Sequence, residues 1–388
     1  MIAPHGGYLA FITSPDPGGM RGLKLSIYNV AALKVEKVIP LTSAKTDPGV
    51  NAGPGDNAFE AVRSITDFDS LAWSPDGRRL AFIGVQDGPS SDLYLYSLDT
   101  QKVTRLTEGP TQGFSPTWSP DGKFIVQFGA NAFGTGAGIS VVGVWATHAD
   151  NTGSIELYKP KANGEMGLGW ADANTFLVYS FSPLCRYFNL RAVSLQPVKV
   201  TTVFAGCFNS AAFDPTSGNV ILGITQGQAD LCNCSPTKTG SGFYMLGLNG
   251  SLKQLNSADI PVVGWLKNAG AAWGYAENKG ALAFTLAGKA LALPSGLPSS
   301  EPLVGIGGKA WAWTAGQIDL QPGLWIGSPD SGIQKVSDLP ISTAVWNAEG
   351  TALIFLNNAK LYVATAPAFK PLFLANTSSA YQLEWVSP

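Results

Sequence analysis

The sequence predicts an all-β protein, an eight-bladed β-propeller that forms a single domain over residues 1–388. Three observations predict this fold: a hairpin motif that occurs twice at blade spacing, strand segments that continue the spacing, and complementary half-motifs at the two ends. The composition agrees with it. Hydrophobic residues make up 45% of the chain and can form a core, while 45 glycines and 26 prolines supply many turns.

The hairpin motif is the strongest of these signals. Residues 71–83 and 116–126 are near copies, and their tryptophans, Trp73 and Trp118, lie 45 positions apart. In each copy a short apolar strand ends at the tryptophan, Ser-Pro-Asp-Gly turns the chain, and a second apolar strand runs back. Residues 92–107 then supply a third and a fourth strand after the first copy, and four short antiparallel strands make one propeller blade.

Weaker copies of the first strand continue along the chain at similar spacing. They are predicted at residues 166–170, 210–213, 261–265, 301–304, 343–346 and 380–385. Together with the two motif copies they predict eight blades of about 45 residues each. The segment at 301–304 lacks an aromatic residue, and the alternative without it is a seven-bladed propeller.

The two ends of the chain complement each other. Residues 380–385 read as a first strand with no second strand after it, whereas residues 7–12 read as a second strand with no first strand before it. Pairing these segments in one blade would close the propeller and leave no open sheet edge.

The motifs Trp73–Gly77 and Trp118–Gly122, both Trp-Ser-Pro-Asp-Gly, resemble the TolB-type, WD-like propeller repeat. The repeat builds the C-terminal domain of TolB and is similar to the N-terminal propellers of the prolyl oligopeptidase and dipeptidyl peptidase IV families. The resemblance implies the architecture only. The matching residues are strand and turn residues, so it carries no catalytic role to this chain.

Composition and motifs argue against several function classes. The net charge of −2, from 25 basic and 27 acidic residues, gives no general attraction for nucleic acid. Only two histidines, His5 and His148, are present, and the sequence contains no Gly-x-Ser-x-Gly, phosphate-binding loop or Cys-x-x-Cys motif. We therefore expect no catalytic residue, no metal and no cofactor, and a protein that is not an enzyme.

Four cysteines, Cys185, Cys207, Cys232 and Cys234, are predicted on one face of two adjacent blades, in loops or in the connection between the blades. The leading interpretation is two disulfides. A Cys232–Cys234 ring would be strained, so each of these would pair with Cys185 or Cys207. Four thiolates around zinc or copper, and unpaired buried thiols, are the alternatives.

The expected location follows from the cysteines. The sequence shows no apolar run of about 18 residues and no signal peptide, so we expect no membrane span in it. It is then either cytoplasmic or numbered after an export signal or anchor. Disulfides persist in oxidising compartments, which favours a periplasmic, secreted or cell-surface protein.

Long loops on the cysteine-bearing face, including residues 42–70 and 129–138, suggest a recognition surface. Its candidate contact residues are Met20, Arg21, Phe59, Phe114, Phe133, Arg186, Tyr187 and Phe188, of types enriched at interfaces. The function hypothesis is a non-enzymatic scaffold that binds a protein or peptide, as a subunit of a cell-envelope or surface assembly. The alternatives are an enzyme or small-ligand binder with a site at the central channel mouth, and the sensor domain of a larger receptor. Apolar, glycine-rich first strands such as residues 166–169 disfavour the channel site.

Overall fold

A computed structural model describes residues 7–15, 19–49, 51–133, 139–160, 164–181, 186–214, 217–226, 240–266, 271–276, 280–291, 302–303, 311–315, 323–328, 332–338, 341, 343–347, 349–377 and 380–386. The chain divides into two compact units. The first comprises Met1–Pro183, Arg191–Thr201 and Thr377–Pro388, and the second comprises Leu184–Leu190 and Thr202–Asn376. Within the described residues the structure is almost entirely β, with eight sheets and one α-helix.

The strands of sheets 1 to 4 follow the chain in order. Sheet 1 contains β1 (Tyr8–Thr13), β2 (Lys24–Asn29) and β3 (Lys34–Pro40). Sheet 2 contains β4 (Leu71–Trp73), β5 (Arg79–Gly84), β6 (Asp92–Ser97) and β7 (Val103–Arg105). Sheet 3 contains β8 (Gln112–Trp118), β9 (Phe124–Phe133), β10 (Ile139–His148) and β11 (Ser154–Tyr158). Sheet 4 contains β12 (Glu165–Asp172), β13 (Thr175–Phe181), β14 (Tyr187–Leu195) and β15 (Val198–Phe208).

Sheets 5 to 8 belong to the second unit. Sheet 5 contains β16 (Ser210–Asp214), β17 (Asn219–Ile224), β18 (Gly242–Gly247) and β19 (Leu252–Asn256), and sheet 6 contains β20 (Val262–Leu266), β21 (Ala271–Ala276) and β22 (Gly280–Thr285). Sheet 7 contains β23 (Pro302–Leu303), β24 (Trp311–Ala315), β25 (Gly323–Ser328) and β26 (Gly332–Ser337). Sheet 8 contains β27 (Thr343–Trp346), β28 (Ala352–Asn357), β29 (Lys360–Thr365) and β30 (Lys370–Asn376).

The last strand, β31 (Ala380–Val386), is the fourth strand of sheet 1. It pairs antiparallel with β1, from Tyr8 opposite Val386 to Thr13 opposite Ala380. The N- and C-terminal segments therefore share one sheet, as their half-motifs predict. In every sheet, neighbouring strands are also consecutive in sequence, and the only exception is the pairing of β1 with β31. Each segment predicted as a first strand lies at a sheet edge.

The Ser-Pro-Asp-Gly turns owe their shape to side-chain hydrogen bonds. In the first copy the Ser74 hydroxyl donates to the Asp76 carboxylate, which also accepts from the Arg78 amide at 3.1 Å. Gly77 lies in the left-handed region at φ 69°, a conformation that costs glycine little. The hydrogen bond from Ser74 lowers the pKa of Asp76 below its usual range. These local bonds explain why a short sequence specifies the hairpin.

The motif tryptophans join neighbouring sheets. Four first-strand tryptophans donate their indole N–H to a first-strand carbonyl of the preceding sheet, one residue before the position equivalent to the tryptophan. In the first unit the bonds run from Trp73 to the Glu384 carbonyl (3.1 Å), from Trp118 to that of Ala72 (2.9 Å) and from Trp170 to that of Thr117 (3.3 Å). In the second unit Trp265 donates to the Ala212 carbonyl at 2.9 Å. The regular spacing of these tryptophans along the sequence therefore corresponds to hydrogen bonds between successive sheets.

The helix α1 (Asn57–Thr66) is a departure from the sequence prediction, which treats residues 42–70 as a long loop. Asp56 caps its N-terminus by accepting from the amides of Ala58 and Phe59. The glycine- and proline-rich stretch before Asp56 obscures this start signal in the sequence.

None of the described helices is long and apolar enough to cross a membrane.

Candidate functional site

Two predicted contact residues, Met20 and Arg21, lie between β1 and β2 and are half-buried. Met20 packs against the core of sheets 1 and 2. The Ser14 hydroxyl donates to the Arg21 carbonyl at 2.9 Å, and the Gly22 amide donates to the Asp47 carboxylate at 3.0 Å. These bonds fix the backbone on both sides of the Arg21 side chain.

Phe114 and Phe133 do not lie at loop tips as the sequence suggests. They are 0% and 1% exposed, because β8 and β9 continue through residues predicted as loop. Their rings lie 5.3 Å apart and 4.8 and 4.9 Å from the ring of Phe68. Both are core residues, and neither is available to a partner. Phe59 is half-buried on α1.

The buried carboxylate of Glu60 fixes α1 against sheet 3. One oxygen accepts from the Phe133 amide at 2.6 Å and the other from the Gly55 amide at 2.9 Å. The guanidinium of Arg63 lies 3.6 Å from Glu60 and 5.9 Å from the centre of the Phe133 ring. The helix is therefore a fixed part of the first unit.

Arg186, Tyr187 and Phe188 form a compact surface cluster in the second unit, which we call the Tyr187 patch. The exposed Arg186 guanidinium lies 5.3 Å from the centre of the half-buried Tyr187 ring. Tyr187 in turn lies 5.9 Å from the ring of buried Phe208. The patch stands at the start of β14, whereas the sequence places these residues in a loop.

The Tyr187 patch rests on a cysteine. Phe188 packs against Cys207, which is 6% exposed and disulfide-bonded. Cys207 lies near the end of β15 rather than in a connection between blades. Cys185, Cys232 and Cys234 lie outside the described residues, so the pairing of the four cysteines stays a prediction.

A cavity of about 430 Å³ in the first unit is lined by β31, β4, β8 and β12, the first strands of neighbouring sheets. The half-buried Glu384 and the exposed Asp69 place two carboxylates in its wall. Burial, with the negative charge of Asp69, raises the pKa of Glu384 to about 7. The hydroxyl of Ser115, held at φ 51° in the same wall, is buried without a hydrogen-bond partner among the described residues.

This cavity corrects the expectation that the first strands offer only apolar and glycine residues. The first strands at residues 166–169 and 261–264 are apolar and glycine-rich, but the last strand carries an acidic residue at Glu384. An alignment of the first strands would have found this carboxylate. At the position before the tryptophan, Ala72, Thr117 and Gly169 correspond to Glu384. Among the described residues, no cluster of three or more His, Cys, Asp or Glu could hold a metal ion.

Comparison with solved structures identifies the fold. Porphyromonas gingivalis dipeptidyl peptidase 4 superimposes with a TM-score of 0.59 at 12% identity, over 97% of this chain and 60% of that one. The C-terminal WD40 domain of Sif2 superimposes with a TM-score of 0.52 at 13% identity, over 93% of each chain. The fold is propeller-like. At these identities the likeness concerns the fold alone, and it agrees with the TolB-type, WD-like resemblance of the repeat.

Comparison with sequences gives short matches, and no family model matches. The chain is 44% identical over 54 residues to the uncharacterized peptidase YuxL of Bacillus subtilis, covering 14% of this chain and 8% of that protein. It is 32% identical over 93 residues to the uncharacterized protein Atu1656 of Agrobacterium fabrum, covering 24% and 29%. It is 30% identical over 71 residues to the Tol-Pal system protein TolB of Alcanivorax borkumensis, covering 18% and 16%. The matches span less than a third of each relative.

Proposed function

We propose that this propeller-like protein is a non-enzymatic scaffold that binds a protein or peptide outside the cytoplasm, as a subunit of a cell-envelope or surface assembly. The observation that carries the proposal is the Tyr187 patch. It combines an exposed arginine with two half-buried aromatic rings, and arginine and tyrosine are enriched among residues that dominate binding energy.

The support beneath the patch favours binding as well. The Tyr187 ring contacts the ring of Phe208, and Phe188 packs against disulfide-bonded Cys207. A contact surface already held in place loses less conformational entropy when a partner docks, which leaves more of the interaction energy as affinity. Met20, Arg21 and Phe59, at the surface of the first unit, are proposed as further contacts.

The proposed location rests on the disulfide of Cys207, because disulfides form and persist in oxidising compartments. The partial match to a TolB protein is consistent with it. We also propose that the eight sheets are the eight blades of one single-domain ring, closed through the pairing of β1 with β31. Every sheet has one predicted first strand at its edge, which supports this count.

The proposed patch is tested with a double variant, Tyr187→Ala with Phe188→Ala. Tagged wild-type and variant proteins are incubated with envelope extract of the source cell, and captured proteins are quantified by mass spectrometry. The matched control is Phe373→Ala, which removes a 48% exposed aromatic side chain elsewhere in the second unit. We expect a partner captured by the wild type and the control to be depleted at least tenfold with the double variant.

The melting temperature of the double variant should stay within a few degrees of the wild type. Equal capture by a folded double variant would show that the patch does not carry binding.

A second candidate function is a small-ligand binder or enzyme at the Glu384 cavity. A carboxyl group whose pKa lies near neutrality in a cavity is typical of functional sites, although structural networks also shift pKa values. A small molecule that raises the melting temperature of the wild type but not of Glu384→Gln would support this function over the scaffold. A third possibility is the sensor domain of a larger receptor. A small ligand that also changes the amount of partner captured at the Tyr187 patch would support it.

A further inference from the structure

A groove of about 430 Å³ in the first unit, between sheets 2 and 3, plays no part in the proposed function. Its walls come from β8, β9 and β10 on one side and from the ends of β6 and β7 on the other. Of the residues that line the Glu384 cavity, it shares only Phe128. It is therefore a separate candidate site.

A row of three glycines lies on one face of sheet 3, and two of them, Gly113 and Gly129, line the groove. Gly113 on β8 lies opposite Gly129 on β9, which lies opposite Gly143 on β10. Residues directly opposite each other in antiparallel strands point to the same face of the sheet. Three side chains are thus absent side by side from one face, and the missing volume is the depression in sheet 3.

An indole ring fills one end of this depression. Trp145 is half-buried, and a methyl group on Gly129 would lie 2.5 Å from its Cζ3 atom. A methyl group on Gly143 would also overlap the ring. The six-membered part of the indole therefore lies directly against glycine backbone, which fixes its orientation, and the ring lines the groove. A flat aromatic ring set beside a polar groove can stack on a ligand.

Beside the ring, the side-chain oxygen of Gln127 accepts no hydrogen bond from the described residues. Gln127 lies directly opposite Trp145 in the register of β9 and β10, so both side chains are on the groove face. Gln127 is 6% exposed, and its Oε1 atom has no hydrogen-bond partner among the described residues. An unsatisfied buried acceptor is costly. A ligand that brings a hydroxyl or N–H group into the groove would remove that cost.

The charges of the groove narrow the class of ligand. Its described lining contains no Lys, Arg or His, so it offers no cation to an anionic ligand. The buried carboxylate of Asp92 already accepts from Arg105 at 2.7 Å and from the Thr107 hydroxyl at 3.4 Å. The 86% exposed Glu108 at the rim lies 3.9 Å from the same Arg105, so the charge of this nearby cation is balanced within the protein. A neutral, hydroxyl-rich ligand fits this arrangement.

We propose that this groove is a binding site for a neutral saccharide, stacked on Trp145 and hydrogen-bonded to Gln127. The C–H face of a pyranose ring suits an aromatic surface, and its hydroxyls supply the donors that Gln127 lacks. The volume lies within the range of about 300–1,000 Å³ typical of small-ligand pockets. The site is independent of the Tyr187 patch, so either proposal can fail without the other.

Saturation-transfer NMR tests the site, with cellotriose, maltotriose and chitotriose as neutral probes and digalacturonate as the anionic comparison. We expect transfer to the ring protons of at least one neutral trisaccharide and weak or no transfer to digalacturonate. Titration should then show affinity at least tenfold lower for Trp145→Ala and severalfold lower for Gln127→Met, which keeps the side-chain length. Trp145→Phe should retain part of the binding.

Two results would overturn the proposal. One is the absence of transfer to all three neutral probes; if hexaproline then binds in a Trp145-dependent manner, the groove is a peptide site. The other is equal affinity of the wild type and a folded Gln127→Met variant, which stays decisive even if Trp145→Ala does not fold.

Discussion

Replacing Glu384 with glutamine should stabilise the protein at alkaline pH and have little effect at acidic pH. Burial and the neighbouring Asp69 raise the pKa of Glu384 from its ordinary 4.5 to about 7. The folded protein therefore holds this proton more tightly than the unfolded chain does. Above pH 7 the folded state carries a carboxylate that its surroundings disfavour, and Glu384→Gln removes that charge with little change in shape.

The size of the effect follows from the two pKa values. Each pH unit between them corresponds to about 1.36 kcal/mol, so a rise from 4.5 to about 7 sets an upper value of about 3 kcal/mol. Solvent screens a half-buried carboxylate, which reduces the expected effect to about 2 kcal/mol. The free energy of unfolding should fall as the pH rises from about 4.5 to 7, and the full penalty should remain above that range.

Urea denaturation at pH 5 and pH 8.5 measures this difference. Glu384→Gln should exceed the wild type by about 2 kcal/mol in free energy of unfolding at pH 8.5 and by only about 0.5 kcal/mol at pH 5, because most of the penalty develops between pH 5 and pH 7. Glu108→Gln is the matched control, because it makes the same chemical change at an 86% exposed position and should be near neutral at both.

The reasoning would be refuted if Glu384→Gln changed the stability equally at both pH values. A loss of stability at pH 8.5 would contradict it more strongly, because the carboxylate would then have a stabilising partner in the folded state.

Two further predictions concern the core of the first unit. Glu165→Ala should lower the free energy of unfolding by about 3–5 kcal/mol in urea, because it leaves the Arg191 guanidinium without its fully buried partner; a loss below about 1 kcal/mol would contradict this. Trp118→Phe should cost about 1 kcal/mol through loss of the indole bond to the Ala72 carbonyl. The matched control is Trp346→Phe, whose indole N–H has no partner among the described residues, and equal costs in both variants would argue against the inter-sheet bond.

The propeller-like fold could be predicted from the sequence because its signals are local and repeated. The Ser74–Gly77 turn is specified by its own side chains, and Trp73 and Trp118 also reach a carbonyl on the preceding sheet. Each copy of the motif therefore specifies both its own hairpin and a contact with the preceding sheet. The half-motifs at the ends pair for the same reason, since a first strand needs a second one beside it.

The surface was less predictable because it depends on where strands end. A strand that continues through an expected loop converts a predicted contact into a core residue, as happens at Phe114 and Phe133. The same extension brings Tyr187 to a strand start and Cys207 into β15. Residue type alone does not distinguish these outcomes, because an aromatic side chain suits both a blade core and an interface.

The candidate sites coincide with places where the repeat is broken. A carboxylate stands at Glu384, where the corresponding positions of other first strands hold small residues such as Ala72 and Gly169. Gly129 and Gly143 lack side chains on one face of sheet 3, and this lets the Trp145 ring lie against their backbone beside the groove. The first feature does not strengthen a blade, since it places charges close together, and the second places an aromatic ring in the wall of a groove. Departures from the repeat at these two places therefore favour small-ligand binding at Glu384 or beside Trp145, separate from the partner contact proposed at the Tyr187 patch.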